Sequence, residues 1–134
     1  MSKEILLDKK TMIVSETNKK GIIIYANEDF CKISGYTKDE LIGNPHNMVR
    51  HKDMPKKAFK DLWNTVEKNM TWNGIVKNKT KNGDYYWVNA TVFSSEDGLG
   101  NKRYISVRVQ PTDDEKILAQ NSYNELLKEE NVFN

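Results

Sequence analysis

Two runs decide the fold: WNGIVKN at residues 72–78 and YYWVNATVF at residues 85–93, joined by a short link that contains Asn82-Gly83. Both carry β-branched and aromatic residues at alternating positions, the pattern of a strand with one buried side. Asn-Gly tolerates the positive φ of a tight hairpin turn, so the two runs are expected to pair antiparallel. A third run, KRYISVRVQ at residues 102–110, follows a turn at residues 97–101 and stops at Pro111, which has no N–H to continue a ladder.

Working outward, residues 11–16 and 22–26 read as two more strands. Asn18-Lys19-Lys20-Gly21 between them supplies the turn chemistry of a hairpin. Asn27 is placed to cap a short helix that Gly35 ends. Thr37 and Glu40 have capping-box spacing for another helical turn ending at Gly43. Residues 44–53 have no clean period and are expected to form a polar loop or broken helix. After them Asp53-Met54-Pro55 looks like a helix start, with Asp53 as the cap. Ala58, Phe59, Leu62, Trp63 and Val66 then repeat at helical spacing and must pack on an apolar surface. From Asp113 to about residue 130 a further helix is expected, capped by Thr112 or Asp113 and carrying an incomplete apolar stripe.

This order predicts an α+β chain: a five-stranded antiparallel sheet with helices across one face, plus a C-terminal helix. The organisation expected is a polar segment at 1–10, a domain at 11–112 and a trailing signalling or linker helix at 113–134. A pocket for a small ligand belongs between the helices and the sheet.

Composition narrows the function. Hydrophobic residues make up 37% and charged residues 30% of the 134 residues, a globular balance. A net charge of +2, with lysines scattered among acids, gives no basic stripe for nucleic acid. The single cysteine, Cys31, precludes an internal disulfide and suits a reducing compartment. No apolar run approaches the ~20 residues of a membrane span, and the first ten residues lack a signal-peptide core. A cytoplasmic location is expected, with membrane association only through a partner or a missing C-terminal region. No nucleophile–base pair, metal cluster or phosphate-loop motif is present, so an enzyme is not expected.

Two motifs carry a family resemblance. Gly35-Tyr36-Thr37 followed by Glu40-Leu41-Ile42-Gly43 resembles a stretch common to many PAS domains. PHNMVRHKDMP at residues 45–55 is far more specific and is similar to the PHNMVRHPDMP segment of aerotaxis-receptor PAS domains, Lys52 standing for a proline. Residues 72–78, 81–84, 86–88 and 106–108 continue the match, so the resemblance spans roughly residues 11–112. It implies a sensor that binds FAD non-covalently and reports redox or oxygen status to a chemotaxis pathway through a receptor or signalling partner; a homodimer is expected. A haem gas sensor and a cofactor-free interaction module are the alternatives.

The resemblance also nominates residues. Arg50, His51 and Asp53 match family positions linked to FAD, and a guanidinium at Arg50 suits a pyrophosphate. For these three the bland alternative is a surface loop with a helix cap. Trp72 stands where flavin-binding relatives place a tryptophan near the ring, and a plain core role competes with that; Trp63, on the apolar face of the helix after Pro55, is a further cofactor-binding candidate. Asn78 matches an asparagine that meets the pyrimidine edge of flavins, and its amide offers both donor and acceptor; an exposed strand asparagine is the bland alternative. By strand alternation Asn78 shares a face with Val76 and Gly74, whose missing side chain leaves space for a ligand or a close backbone approach. On the next strand Tyr86, Val88, Ala90 and Val92 point the same way, which turns Trp87 outward, towards a protein interface. Ser106 and Arg108 face the pocket from the last strand, where Arg108 needs an anionic or carbonyl partner. His46 occupies the region where photoactive relatives carry a cysteine, which argues against a covalent flavin adduct. It is also, with His51, a candidate haem ligand.

Overall fold

A computed structural model describes residues 2–133. The chain runs β1 (Ile13–Asn18), β2 (Ile23–Ala26), α1 (Glu28–Ser34), α2 (Lys38–Leu41), a 3-10 turn at His46–Val49, α3 (Lys56–Glu67), β3 (Trp72–Lys79), β4 (Tyr85–Glu96), β5 (Lys102–Val109) and α4 (Asp113–Phe133). The strands form one sheet in the order β2-β1-β5-β4-β3, every pairing antiparallel. Residues between β2 and β3 must therefore cross from one sheet edge to the other, and the helices of that crossing cover one face. The strands start and end within three residues of the positions the alternation predicts, and β3, β4 and β5 start where expected.

The caps expected at three of the helices form as read. Asn27 Oδ1 accepts from Phe30 N at the start of α1, Thr37 and Glu40 make a complete capping box, and Thr112 with Glu115 does the same for α4. The cap of α3 is different. Pro55 occupies that position and offers no side chain, while Asp53 turns away to Lys77. An orphan N–H of the first turn, that of Lys57, is met instead by Glu130 Oε1 of α4 at 3.1 Å. A carboxylate brought from a distant helix was invisible to local spacing.

The inner face of the sheet follows the predicted alternation. Ile13, Tyr86, Val88 and Ala90 pack with Phe30, Leu41 and Val49 from the crossing segment. Trp72 also lies on this face. A Cβ on Gly74 would sit 2.4 Å from the Trp72 ring, so the space that glycine leaves is filled by the chain's own indole rather than by a ligand.

On the outer face α4 lies over β3 and β4. Tyr123 stacks on Trp87 with centroids 6.4 Å apart, and its hydroxyl donates to the carbonyl of Ile75. Trp87 points outward as predicted, but it is only 6% exposed, because the trailing helix covers it. The N-terminal segment docks beside α4. Ile5 N donates to Tyr85 O at 2.8 Å, Leu7 is buried, and Glu4 meets Lys116 at 3.2 Å.

Candidate functional site

A cavity of about 300 Å³ lies between the inner face and the crossing segment. Strand alternation brings Ser15 and Thr17 of β1, Asn78 of β3, Val92 of β4 and Ser106 and Arg108 of β5 to its floor. The loop after α2 contributes His46 and Arg50, and α3 lays Phe59, Leu62 and Trp63 over the top. Of the residues nominated from the sequence, the structure gathers His46, Arg50, Trp63, Asn78 and Arg108 around this one space.

Arg108 is the most demanding of them. It is 2% exposed, and its guanidinium lies 4.4 Å above the Phe30 ring. One nitrogen donates to Ser15 Oγ at 2.6 Å, while Nε and Nη1 are buried with no partner. Burial draws its pKa down to about 10, which still leaves it charged at neutral pH. Such a group costs several kcal/mol unless something supplies acceptors.

Ser15 passes the contact on. Its Oγ lies 3.0 Å from His46 Nε2, and the His46 ring stacks on Phe30 at 5.7 Å. A guanidinium can only donate, so the serine oxygen accepts from Arg108 and its own proton is free for Nε2. Desolvation first, then the nearby positive charge of Arg108, drops the His46 pKa to about 3. His46 is therefore a neutral acceptor. Tyr86, buried on the same face with its hydroxyl near Asn78 but in no well-formed hydrogen bond, has its pKa raised by burial to about 12, so it too stays neutral and can donate.

Arg50 stands on another wall with its guanidinium 3.6 Å over the Phe59 ring, and its Nε is buried without a partner. Four cations line the cavity (Lys19, Lys20, Arg50 and Arg108) against one carboxylate, Glu67. Among the described residues none of the five takes part in an ion pair. In a chain of net charge +2 this is a concentration of positive charge, and it asks for an electron-rich or anionic ligand.

The remaining nominees sit outside the lining. His51 N donates to Lys77 O at 3.4 Å, its Nδ1 accepts from Asp53 N at 3.0 Å, and its ring meets Tyr85 edge-on. Asp53 pairs with Lys77 at 3.2 Å. Trp72 packs on Gly74, on the cavity's own face but not on its wall. Ser15, Lys19, Lys20 and Phe59 are contributors that pattern reading missed. Ser15 was detectable as a polar residue at an inward strand position; the lysines look like ordinary turn residues until the cavity mouth is seen. Among the described residues no group of three or more His, Cys, Asp or Glu is placed to hold a metal, and no helix is long and apolar enough to cross a membrane.

Known proteins agree with this architecture. A light-oxygen-voltage domain from a study of a flavin analogue superposes with TM-score 0.70 at 22% identity, over 85% of this chain and 88% of that one. The dark structure of the blue-light photoreceptor Aureochrome1 LOV gives 0.67 at 20% identity, over 91% and 86%. By sequence the chain is 46% identical over 116 residues to the aerotaxis receptor of Escherichia coli (strain K12), covering 87% of this chain and 23% of that protein. It is 22% identical over 87 residues to the nitrogen fixation regulatory protein of Klebsiella oxytoca, covering 65% and 18%. The chain thus spans less than a quarter of either relative. The PAS fold family matches residues 23–109, and the chain belongs to that family, with a sequence of the aerotaxis-receptor type.

Proposed function

We infer that this domain binds FAD non-covalently in the cavity and reports redox or oxygen status to a chemotaxis pathway. The observation that carries the reading is the buried Arg108, which has two unpartnered nitrogens and lines the cavity together with Asn78. A carbonyl-rich heteroaromatic edge answers both: Asn78 offers a donor and an acceptor, and Arg108 offers donors and a fixed positive charge. Arg50 is placed to meet phosphate. The likeness to an aerotaxis receptor supports the sensory role.

A bound flavin would supply reversible uptake of electrons and protons. Arg108 then favours whichever state carries more negative charge at the ring, while His46, held neutral, donates no charge of its own. Any difference in affinity between the two states sets how far the protein's conformation shifts. A physical route outward exists: α3 roofs the cavity, and its first turn is capped by Glu130 of α4. The trailing helix would carry the signal to a receptor or signalling protein, in a homodimer.

Haem fits this cavity less well. His46 Nε2 is engaged by Ser15, and His51 lies outside the lining. Cys31 belongs to α1 and packs against the core, away from the cavity lining, which leaves no thiol for a covalent flavin adduct. The absorption spectrum of the purified protein tests the proposal. Oxidised-flavin bands that bleach on reduction are expected; a colourless protein that takes up no added FAD overturns it, and a Soret band assigns haem instead.

A further inference from the structure

The β1–β2 turn forms part of the cavity lining with Lys19, Lys20 and Gly21. It is held firmly. Asn18 Oδ1 accepts from Lys20 N at 2.9 Å and Ile22 N at 3.1 Å, and Gly21 O accepts from His46 N at 3.0 Å. Gly21 has φ 80°, and a Cβ there would lie 3.7 Å from the Trp63 ring, so the turn is packed against α3 as well as tied to the His46 loop. Two lysines are thus displayed on a fixed platform, exposed and free of ion pairs among the described residues.

Size decides what they meet. About 300 Å³ is at the small end of ligand cavities, so a flavin ring system held there would leave little space for the rest of a nucleotide. The rest of a nucleotide must leave through the mouth. Arg50 lines that cavity too, on the loop that His46 anchors to the turn, and its buried Nε is unpartnered. A phosphate group emerging there would meet cations from the cavity lining, each able to act as a charge-assisted donor.

We propose that Lys19 and Lys20 grip the phosphate groups of the ligand at the cavity mouth, opposite its ring, and so make this site select phosphorylated flavins over the unphosphorylated one. The inference rests on the flavin reading and adds to it a pair of specificity residues. As solvated turn lysines they would have no effect on which flavin binds.

The test is a fluorescence titration of ligand-free protein with riboflavin, FMN and FAD, for the wild type and for a Lys19→Gln/Lys20→Gln double variant. Both side chains are exposed, so the variant is expected to fold, which circular dichroism verifies. Wild type is expected to bind FMN and FAD at least tenfold more tightly than riboflavin. The double variant is expected to lose about tenfold for both phosphorylated flavins and nothing for riboflavin, with a shallower dependence of affinity on salt. A variant that keeps the wild-type preference, or that weakens all three flavins equally, overturns the lysine assignment and leaves the flavin reading standing. Wild type that binds riboflavin as tightly as FAD does the same. Wild type that binds none of the three overturns both.

Discussion

Two buried cations lie on opposite faces of one sheet, and they are treated in opposite ways. Lys77, on the outer face of β3, is 8% exposed and is fully provided for by the chain. Asp53 lies 3.2 Å from its ammonium, and the rings of Tyr85 and Trp87 lie 4.4 and 5.7 Å away. Arg108, on the inner face of β5, has one serine, one aromatic ring and two orphan nitrogens. The histidines nearby repeat the contrast. His51 has Asp53 beside it to offset the lysines, whereas His46 faces only Arg108 and Arg50. A buried charge that serves the fold finds its counter-charge within the chain; one left without it marks where another molecule belongs.

The largest effect should come from removing the unprovided charge. Arg108→Met keeps roughly the volume of the side chain and discards its donors. Charged hydrogen bonds contribute about 1.5–3 kcal/mol each, so FAD affinity is expected to fall by about 100-fold. Without ligand the variant should melt at the wild-type temperature or above it, since an uncompensated charge has gone. Calorimetric melting with and without FAD separates the two terms. A variant that melts lower without ligand yet binds normally would make Arg108 a structural residue, like Lys77.

The second test concerns protons. The folded pKa of His46, about 3, lies below the ordinary 6.5, so the unfolded chain binds the proton more readily. The stabilisation is complete above pH 6.5 and is lost progressively as the pH falls towards 3. Between pH 7 and pH 5 the loss is about 2 kcal/mol. Urea unfolding of ligand-free protein at the two pH values measures it, and His46→Gln is expected to remove most of that slope. Because the His51 pKa is lowered too, a residual slope of the same sign should persist in the variant. An unchanged slope would mean that the inner face carries no proton-linked strain.

Which face each strand residue takes was the easiest feature to read from sequence, and the reason is physical. Strands declare themselves through a period of two residues, so the sequence alone turns Asn78, Ser106 and Arg108 inward and Trp87 outward. Hairpin and cap signals are equally local, which is why Asn82-Gly83 and Thr37–Glu40 were legible. What escaped was every contact made across long separations. Glu130 capping α3, Trp72 filling the gap at Gly74, and the lysines at 19 and 20 meeting a cavity built from β3, β5 and α3 all depend on the crossing order of the strands. Family resemblance gathered Arg50, His51 and Asp53 into one motif, but the backbone bridge between Arg50 and Asn78 divides them, putting the first on the cavity and the other two beside Lys77.

That division makes Asp53→Asn the finest probe of the contrast between the two faces. Breaking a fully buried pair costs about 3–5 kcal/mol, but the Asp53 side chain is 45% exposed, and water screens what remains. A loss of about 1 kcal/mol is expected in urea unfolding. The substitution leaves Lys77 close to two aromatic faces that still attract an ammonium, which further limits the damage. Adding Lys77→Met to the variant should recover most of the stability, because the stranded charge is then gone and only apolar volume remains. A double-mutant cycle isolates that coupling from either single effect. FAD affinity should stay within about twofold of wild type throughout, since neither side chain lines the cavity. If Asp53→Asn instead abolishes flavin binding while stability is untouched, the carboxylate serves the ligand after all. Opposite faces of the sheet would then share one site, and the rule that separates Lys77 from Arg108 would fail in this fold.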